Sequence, residues 1–296
     1  MRDVIIVGAG PAGLSAALVL GRCRRRVTLY DDGNPRNKCS RGVNGYLGCD
    51  GVAPEELRRI GATELAPYDV IMRKQRVVRA APAEVGFEVE DAMGNLERSR
   101  KLLLATGVSD RLPEIPGVAE LYGRAIYPCV YCDGWELRDQ PLAAFGYGPK
   151  AAEFALGLLT WSSDVILFTH GGELASPEDL ERLSRYRVAL REERVVAFEP
   201  RPTGCSVVLE TGEKIPRAGV FLHYGQTAQS LLAESFGCTV EAAGTVETFE
   251  KQRTRMPGLY LAGDASHDVK FAIVAAAHGA RAAHDINQAL RQEDTA

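Results

Sequence analysis

Val4-Ile5-Ile6-Val7 runs straight into Gly8-Ala9-Gly10-Pro11-Ala12-Gly13 and then into an alanine-rich stretch at residues 14–20, and no other part of the chain restricts its fold as much. A strand, a turn of G-x-G-x-x-G spacing and a helix open a dinucleotide-binding βαβ unit. The first glycine allows the tight turn and the second lets a pyrophosphate approach the backbone. The third lets helix pack on strand, and the helix N-terminus faces the anion. A second strand, Val27-Thr28-Leu29-Tyr30, ends in Asp31, about 18 residues past the last glycine, where an acid hydrogen-bonds an adenosine ribose. The competing reading, a glycine-rich turn without a ligand, does not account for that acid.

The plan returns at an offset of 138 residues. Leu142 to Phe145 reads as a strand, Gly146-Tyr147-Gly148-Pro149-Lys150-Ala151 as a G-x-G-x-x-A turn, residues 152–160 as a helix and 164–168 as the next strand. Such duplication is expected of an enzyme that handles two dinucleotides. The copy is imperfect, because its second strand ends Phe168-Thr169-His170-Gly171-Gly172, with neither a carboxylate for a ribose hydroxyl nor an arginine pair for a 2′-phosphate.

Between the copies, residues 33–51 read as a loop over the nucleotide and 54–68 as a helix opened by Pro54. Strands are expected at 75–80, 86–91 and 101–105, the last ending in Ala105-Thr106-Gly107. Prolines at 113 and 116 punctuate an interdomain linker. Near the C-terminus an apolar strand stops at Gly263-Asp264, before a helix at 271–290, and Asp264 is placed to reach cofactor hydroxyls.

The chemistry is expected at Cys129-Val130-Tyr131-Cys132-Asp133-Gly134. Two intervening residues let both sulfurs share one turn at disulfide distance, so the pair reads as a redox centre. Structural zinc needs four ligands, and the other cysteines (23, 39, 49, 205 and 238) form no second C-x-x-C or Cys/His cluster. Asp133 is either the first residue of an Asp-Gly turn or the acid that protonates a leaving sulfur.

A formal charge of -4 argues against a nucleic-acid surface, and the basic run at 22–26 reads as a solvated helix end. No 18-residue apolar segment is present to enter a membrane. Seven cysteines, an odd number, with no signal peptide ahead of the first strand, lead to the expectation of a reducing, cytoplasmic setting.

With these pieces in place, the chain resembles the low-molecular-weight thioredoxin reductase family over nearly its full length. The shared motifs are the turn at Gly8, Gly10 and Gly13, Ala105-Thr106-Gly107, Pro113-Glu114-Ile115-Pro116-Gly117, Cys129 to Gly134, and Gly263-Asp264. The resemblance implies an α/β fold of two Rossmann-like domains, the second inserted into the first. An FAD domain covers 1–112 and resumes at 244–296, and a unit at 113–243 resembling an NAD(P)H domain carries the disulfide. It also implies that Cys132 faces the flavin, that Cys129 attacks the external substrate and that Asp133 donates the proton. FAD is then held around Gly8, Gly10, Pro11, Ala12 and Gly13, by Asp31, by Ala105, Thr106 and Gly107, and by Gly263 and Asp264. The partners implied are a dithiol or disulfide substrate, either a small protein such as thioredoxin or a small molecule, and a second copy of the chain in a homodimer.

Departures from the family pattern narrow the choice. Thioredoxin reductases carry G-G-G-x-S-A and H-R-R-x-x-x-R in the inserted domain, where this chain has the Gly146 turn and Thr169-His170-Gly171-Gly172. Where the family usually reads R-Q-A beside the flavin, Lys270 is followed by Phe271 and Ala272. Gly134-Trp135-Glu136 after the cysteines, with Pro35-Arg36-Asn37, which adds Asn37 to the cofactor contacts, is more similar to the flavin-dependent dithiol oxidases that close disulfides in gliotoxin and holomycin. Those usually carry histidine at the position of Asp133. Four readings follow. The first is a thiol-disulfide oxidoreductase without ordinary NADPH use, passing electrons from a dithiol to oxygen or from another reductant such as ferredoxin to a disulfide. The others are a conventional NADPH-dependent thioredoxin reductase, an FAD enzyme of another reaction, and a flavin-binding sensor. The first is the expectation carried forward.

Overall fold

The computed structural model describes every residue except Ala175 and Ser230. Its contacts separate two compact units: residues 1–38, 45–109 and 226–296 form one, and 39–44 with 110–225 form the other.

The first unit opens with β1 (Arg2–Val7), α1 (Pro11–Arg22) and β2 (Val27–Tyr30), as the sequence predicts. Every residue of β1 after Arg2 is buried, the continuous apolar run of a strand covered on both faces. Residues 33–51 form no helix or strand, and six of them, Cys39–Asn44, belong to the second unit. Helix α2 (Pro54–Glu64) stops short of the expected end at 68, which leaves room for an edge strand, β3 (Val70–Arg73). The meander follows as β4 (Val77–Pro82), β5 (Phe87–Asp91) and β6 (Leu96–Leu104). Its turn at 91–95 is fixed by the Asp91 carboxylate, which accepts from the N–H groups of Met93 at 2.9 Å and Asn95 at 3.0 Å. Strand β7 (Val108–Asp110) ends this first passage.

In the second unit come α3 (Val118–Leu121), β8 (Ile126–Tyr127) and the single turn α4 (Val130–Asp133). The repeated βαβ consists of β9 (Leu142–Phe145), α5 (Ala151–Gly157) and β10 (Val165–Phe168). Helix α6 (Pro177–Arg185), capped by the Ser176 hydroxyl, leads to β11 (Ala189–Arg191). An antiparallel meander, β12 (Val195–Pro200), β13 (Cys205–Leu209) and β14 (Lys214–Arg217), precedes β15 (Gly219–Leu222). The parallel sheet runs β11-β10-β9-β15-β8, with Phe145, Phe168 and Phe221 fully buried in it.

The chain re-enters the first unit with β16 (Gln226–Ala228), hydrogen-bonded to β7, then β17 (Leu259–Leu261) and α7 (Ala272–Asp294). The re-entry falls at 226 and not near 244 because Leu232, Ala233 and Phe236 pack in the same core as Val77, Phe87 and Val89. The completed sheet runs β3-β2-β1-β6-β5-β4, with β17 also paired to β6. Helix α7 is anchored by Asp285, whose buried carboxylate accepts from Arg253 at 2.6 and 2.8 Å and from the Tyr260 hydroxyl at 3.1 Å. In the basic run, Arg25 is tied to α7 through Asn287 and Asp294, so it is not merely a solvated helix end. Among the described residues no helix is long and apolar enough to cross a membrane.

Helices α1 and α7 cross backbone to backbone: a Cβ at Gly279 would lie 1.9 Å from the Ala12 carbonyl oxygen. Gly→Ala in an open helix stabilises by about 1 kcal/mol. Gly279→Ala is expected instead to cost about 1–3 kcal/mol through overpacking, read as a lowered urea midpoint. An unchanged or raised midpoint would remove the crossing as a constraint.

Candidate active site

The first βαβ turn assigns each glycine a different task. Gly8 has φ +106°, donates its N–H to the Tyr30 carbonyl at 2.8 Å, and could carry a Cβ only 2.3 Å from the Ala105 oxygen. Gly13 could carry one only 1.8 Å from the Gly8 oxygen. At Gly10 a Cβ would meet nothing within 4 Å. The turn is therefore closed on its protein side and open where Pro11 starts the helix. That opening, at backbone N–H groups with no side chain in the way, fits a dinucleotide pyrophosphate.

Three strand ends converge here. Ala105, Thr106 and Gly107 follow β6 against Gly8, and Gly263, at φ +80°, follows β17 with room for a Cβ only 2.9 Å from that of Ala12. Asp31 ends β2, its N–H donating to the Arg73 carbonyl at 2.9 Å. Both acids expected to face a cofactor are held by arginines the sequence reading did not assign to them. Arg58 of α2 pairs with Asp31, and Arg36 Nη1 lies 3.2 Å from Asp264 Oδ2. Asn37 is half-buried beside Arg36, Phe271 caps α7 and Ala272 begins it, while Lys270 Nζ reaches the Asp264 carbonyl at 3.4 Å. Ser266 Oγ donates to the Gly263 carbonyl at 2.7 Å and lies 3.1 Å from His278 Nδ1, and His278 Nε2 lies 3.1 Å from Asp268. This chain, buried at Ser266 and His278 and reaching the surface at Asp268, ties the Gly263-Asp264 turn to α7, and no motif announced it.

In the second unit Cys129 and Cys132 are joined in a disulfide, with Cα atoms 5.3 Å apart. Cys129 caps α4, and its Sγ accepts from the Cys132 N–H at 3.1 Å. That N–H is placed where it would stabilise negative charge on the Cys129 sulfur, a contact that sequence reasoning did not find. Asn44 donates to the Cys132 carbonyl at 2.7 Å, pinning the turn from a segment some ninety residues earlier. Asp133 is half-buried, and burial, reinforced by Glu136 and opposed by Arg41, pushes its carboxyl up to about 6. Of the free cysteines, Cys205 is buried and its thiol pushed up to about 12 by that burial.

The second glycine turn is filled differently. Gly146 and Gly148 both have positive φ, as a tight turn requires. The Tyr147 side chain between them lies on Gly172, where a Cβ would come within 2.4 Å of Tyr147 Cγ, and the ring meets Tyr224 edge-on. His170 Nδ1 accepts from the Val195 N–H at 3.0 Å, and burial together with Arg194 lowers its pKa, which favours the neutral ring. Arg182 is the next arginine along the chain, yet β-pairing brings Arg191 beside Phe168, and Arg194 lies near enough for its charge to act on His170. Arg191 is engaged by Glu193 and Glu213.

The sequence profile of the pyridine nucleotide-disulphide oxidoreductase family matches residues 2–279. Thioredoxin reductase aclD of Aspergillus oryzae is 30% identical over 99% of this chain and 98% of its own length. The crystal structure of HlmI superposes with a TM-score of 0.93 at 35% identity, covering 99% of this chain and 94% of that one. An oxidoreductase from Agrobacterium tumefaciens does so with a TM-score of 0.93 at 32% identity, over 98% and 99%.

The open space at Gly10 separates binding from folding. Gly10→Val is expected to leave the unfolding midpoint within about 1 kcal/mol of wild type while yielding protein that retains no FAD, read by absorbance of the purified sample. A yellow variant with a full complement of FAD would show that the pyrophosphate lies elsewhere.

Proposed function

The chain belongs to the pyridine nucleotide-disulphide oxidoreductase family and is a thioredoxin reductase-like FAD oxidoreductase, and on that basis we propose that it couples FAD to an external dithiol or disulfide through Cys129 and Cys132 without ordinary use of NADPH. It acts as a dithiol oxidase, or as a reductase fed by another electron donor. The observation that carries this reading is Tyr147 lying on Gly172, between the glycine turn and the end of β10, the two places a second dinucleotide has to touch. A second reading, NADPH-dependent thioredoxin reduction, is favoured by Arg194, whose charge acts on His170. A homodimer in a reducing, cytoplasmic setting belongs to the proposal, with a thioredoxin-like protein or a small molecule as substrate.

FAD, when bound, supplies the two-electron store with which the disulfide exchanges. In the oxidising direction a substrate thiolate attacks Cys129 Sγ, forming a mixed disulfide and releasing Cys132 as a thiolate. The second substrate thiolate then attacks its own bound sulfur, closing the substrate disulfide and expelling Cys129 as a thiolate, which the Cys132 N–H stabilises. The substrate loses two protons and an electron pair, and the enzyme pair gains them. With its carboxyl held near 6, Asp133 can accept one of those protons near neutral pH, or donate one when the reaction runs in reverse.

Two measurements test this. In anaerobic solution, dithiothreitol is expected to bleach the flavin within seconds, while sub-millimolar NADPH or NADH does not. Rapid bleaching by micromolar NADPH would establish the second reading instead.

The pH profile tests Asp133. A proton acceptor works only when ionised, so dithiol oxidation should rise as pH passes upward through about 6, and disulfide reduction should fall over the same interval. Asp133→Asn should abolish that limb in both directions and slow turnover about 100-fold. An unchanged limb would return Asp133 to the role of a turn residue.

A further inference from the structure

Beside the disulfide the fold leaves two large rings in water. Tyr131, between the two cysteines in sequence, is 73% exposed, and Trp135, four residues on, is 64% exposed. Neither is loose. Tyr131 stands edge-on to Trp161, with centroids 5.5 Å apart, and Trp161 is wedged against Gly134, where a Cβ would be 2.8 Å from its ring. Arg138 places its guanidinium 4.1 Å from the Trp135 centroid and donates to the Trp135 carbonyl at 2.9 Å. Each ring is thus held by a contact while most of its surface stays exposed. Charges of both signs border the rings, Arg41 and Glu136 acting on Asp133 in opposite directions and Arg138 lying over Trp135.

We propose that Tyr131 and Trp135 form a substrate ledge for the Cys129–Cys132 disulfide and select dithiols whose sulfurs are carried on a flat, apolar ring over dithiols on a short polar chain. The proposal rests on the reading of this disulfide as the redox centre. Rings fixed in orientation with open surface suit stacking of another plane, and that contact costs little ordering when the protein side is already held. The ledge is two side chains on about one turn of chain, a footprint suited to a small molecule and far below the area of a specific protein interface. Binding leads to the exchange already described, in which the dithiol becomes a cyclic disulfide and Cys129 and Cys132 become thiols.

A matched pair of probes tests it on the FAD-loaded protein. 1,2-Benzenedimethanethiol and dithiothreitol each close to a six-membered cyclic disulfide, one on an aromatic ring and the other on a hydroxylated chain. The ratio of their kcat/KM values is compared in wild type and in the Tyr131→Ala/Trp135→Ala double variant, so that intrinsic differences between the thiols cancel. The ratio in favour of the aromatic dithiol is expected to fall about tenfold in the double variant, and Tyr131→Phe/Trp135→Phe is expected to retain it. An equal ratio in wild type and double variant overturns the ledge. So does a double variant that slows reduced thioredoxin more than it slows the aromatic dithiol, which would make the face a protein dock. If neither small dithiol opens the disulfide in wild type, the redox reading itself fails, an outcome distinct from failure of the ledge.

Discussion

Three backbones meet in the first unit where no side chain could stand between them. The turn after β1 touches α1 at Gly8 and Gly13, and α1 touches α7 at Ala12 and Gly279, each contact closer than a Cβ allows. This contact brings the ends of β1, β6 and β17 to one point. It also leaves Gly10 as the place where the turn faces outward with nothing in front of it. Methyl groups at the inner contacts would push α1 off the sheet, and the opening at Gly10 would lose its shape.

The second unit uses the same topology with the opposite outcome. Its turn after β9 keeps positive φ at Gly146, as the first turn does at Gly8, but Gly148 is at φ +84° where its counterpart Gly10 is at -74°, so the two turns differ in backbone as well as in sequence. The intervening residue is now a tyrosine packed on Gly172, and the strand that would carry a ribose-binding acid ends in a neutral histidine tied to Val195. The pair of units therefore has one dinucleotide cradle left open and one filled by its own side chain. The disulfide, on the capped turn before β9, lies in the unit whose cradle is filled.

How much of this could be read from the sequence depended on the range of the interactions involved. The βαβ openings were legible because strand, glycine turn and helix are written consecutively, and the C-x-x-C because two sulfurs on one turn need no distant residue. Strand β3 was not, since Ile71 and Met72 at the sheet edge are exposed and give no alternation to detect. The point of re-entry at 226 was hidden because Leu232 and Phe236 reveal their unit only by packing against Val77 and Phe87. At the site, Asp31, Asp264 and Asp133 were visible as residue types. What holds the first two, and the Arg41 charge that acts on the third, were not, because Arg58, Arg36 and Arg41 arrive through tertiary structure. Tyr147 was visible too, but its direction is set by a glycine in another loop.

Strand β17 pairs with β6 across the whole inserted unit, Leu259 opposite Leu102, and α7 closes on a helix from the first twenty-two residues. During synthesis the second unit, continuous from 110 to 225 apart from a six-residue strap, emerges complete while the first still lacks two strands and its longest helix. Domains fold as units, and pairings across long stretches of chain form slowly. The thiol-bearing half is thus assembled first, and the cofactor cradle exists only after the last helix leaves the ribosome. Until then the nascent chain holds Cys129 and Cys132 on a turn formed ahead of the first unit's dinucleotide cradle, so the two halves of the molecule mature in the reverse of their order in the sequence.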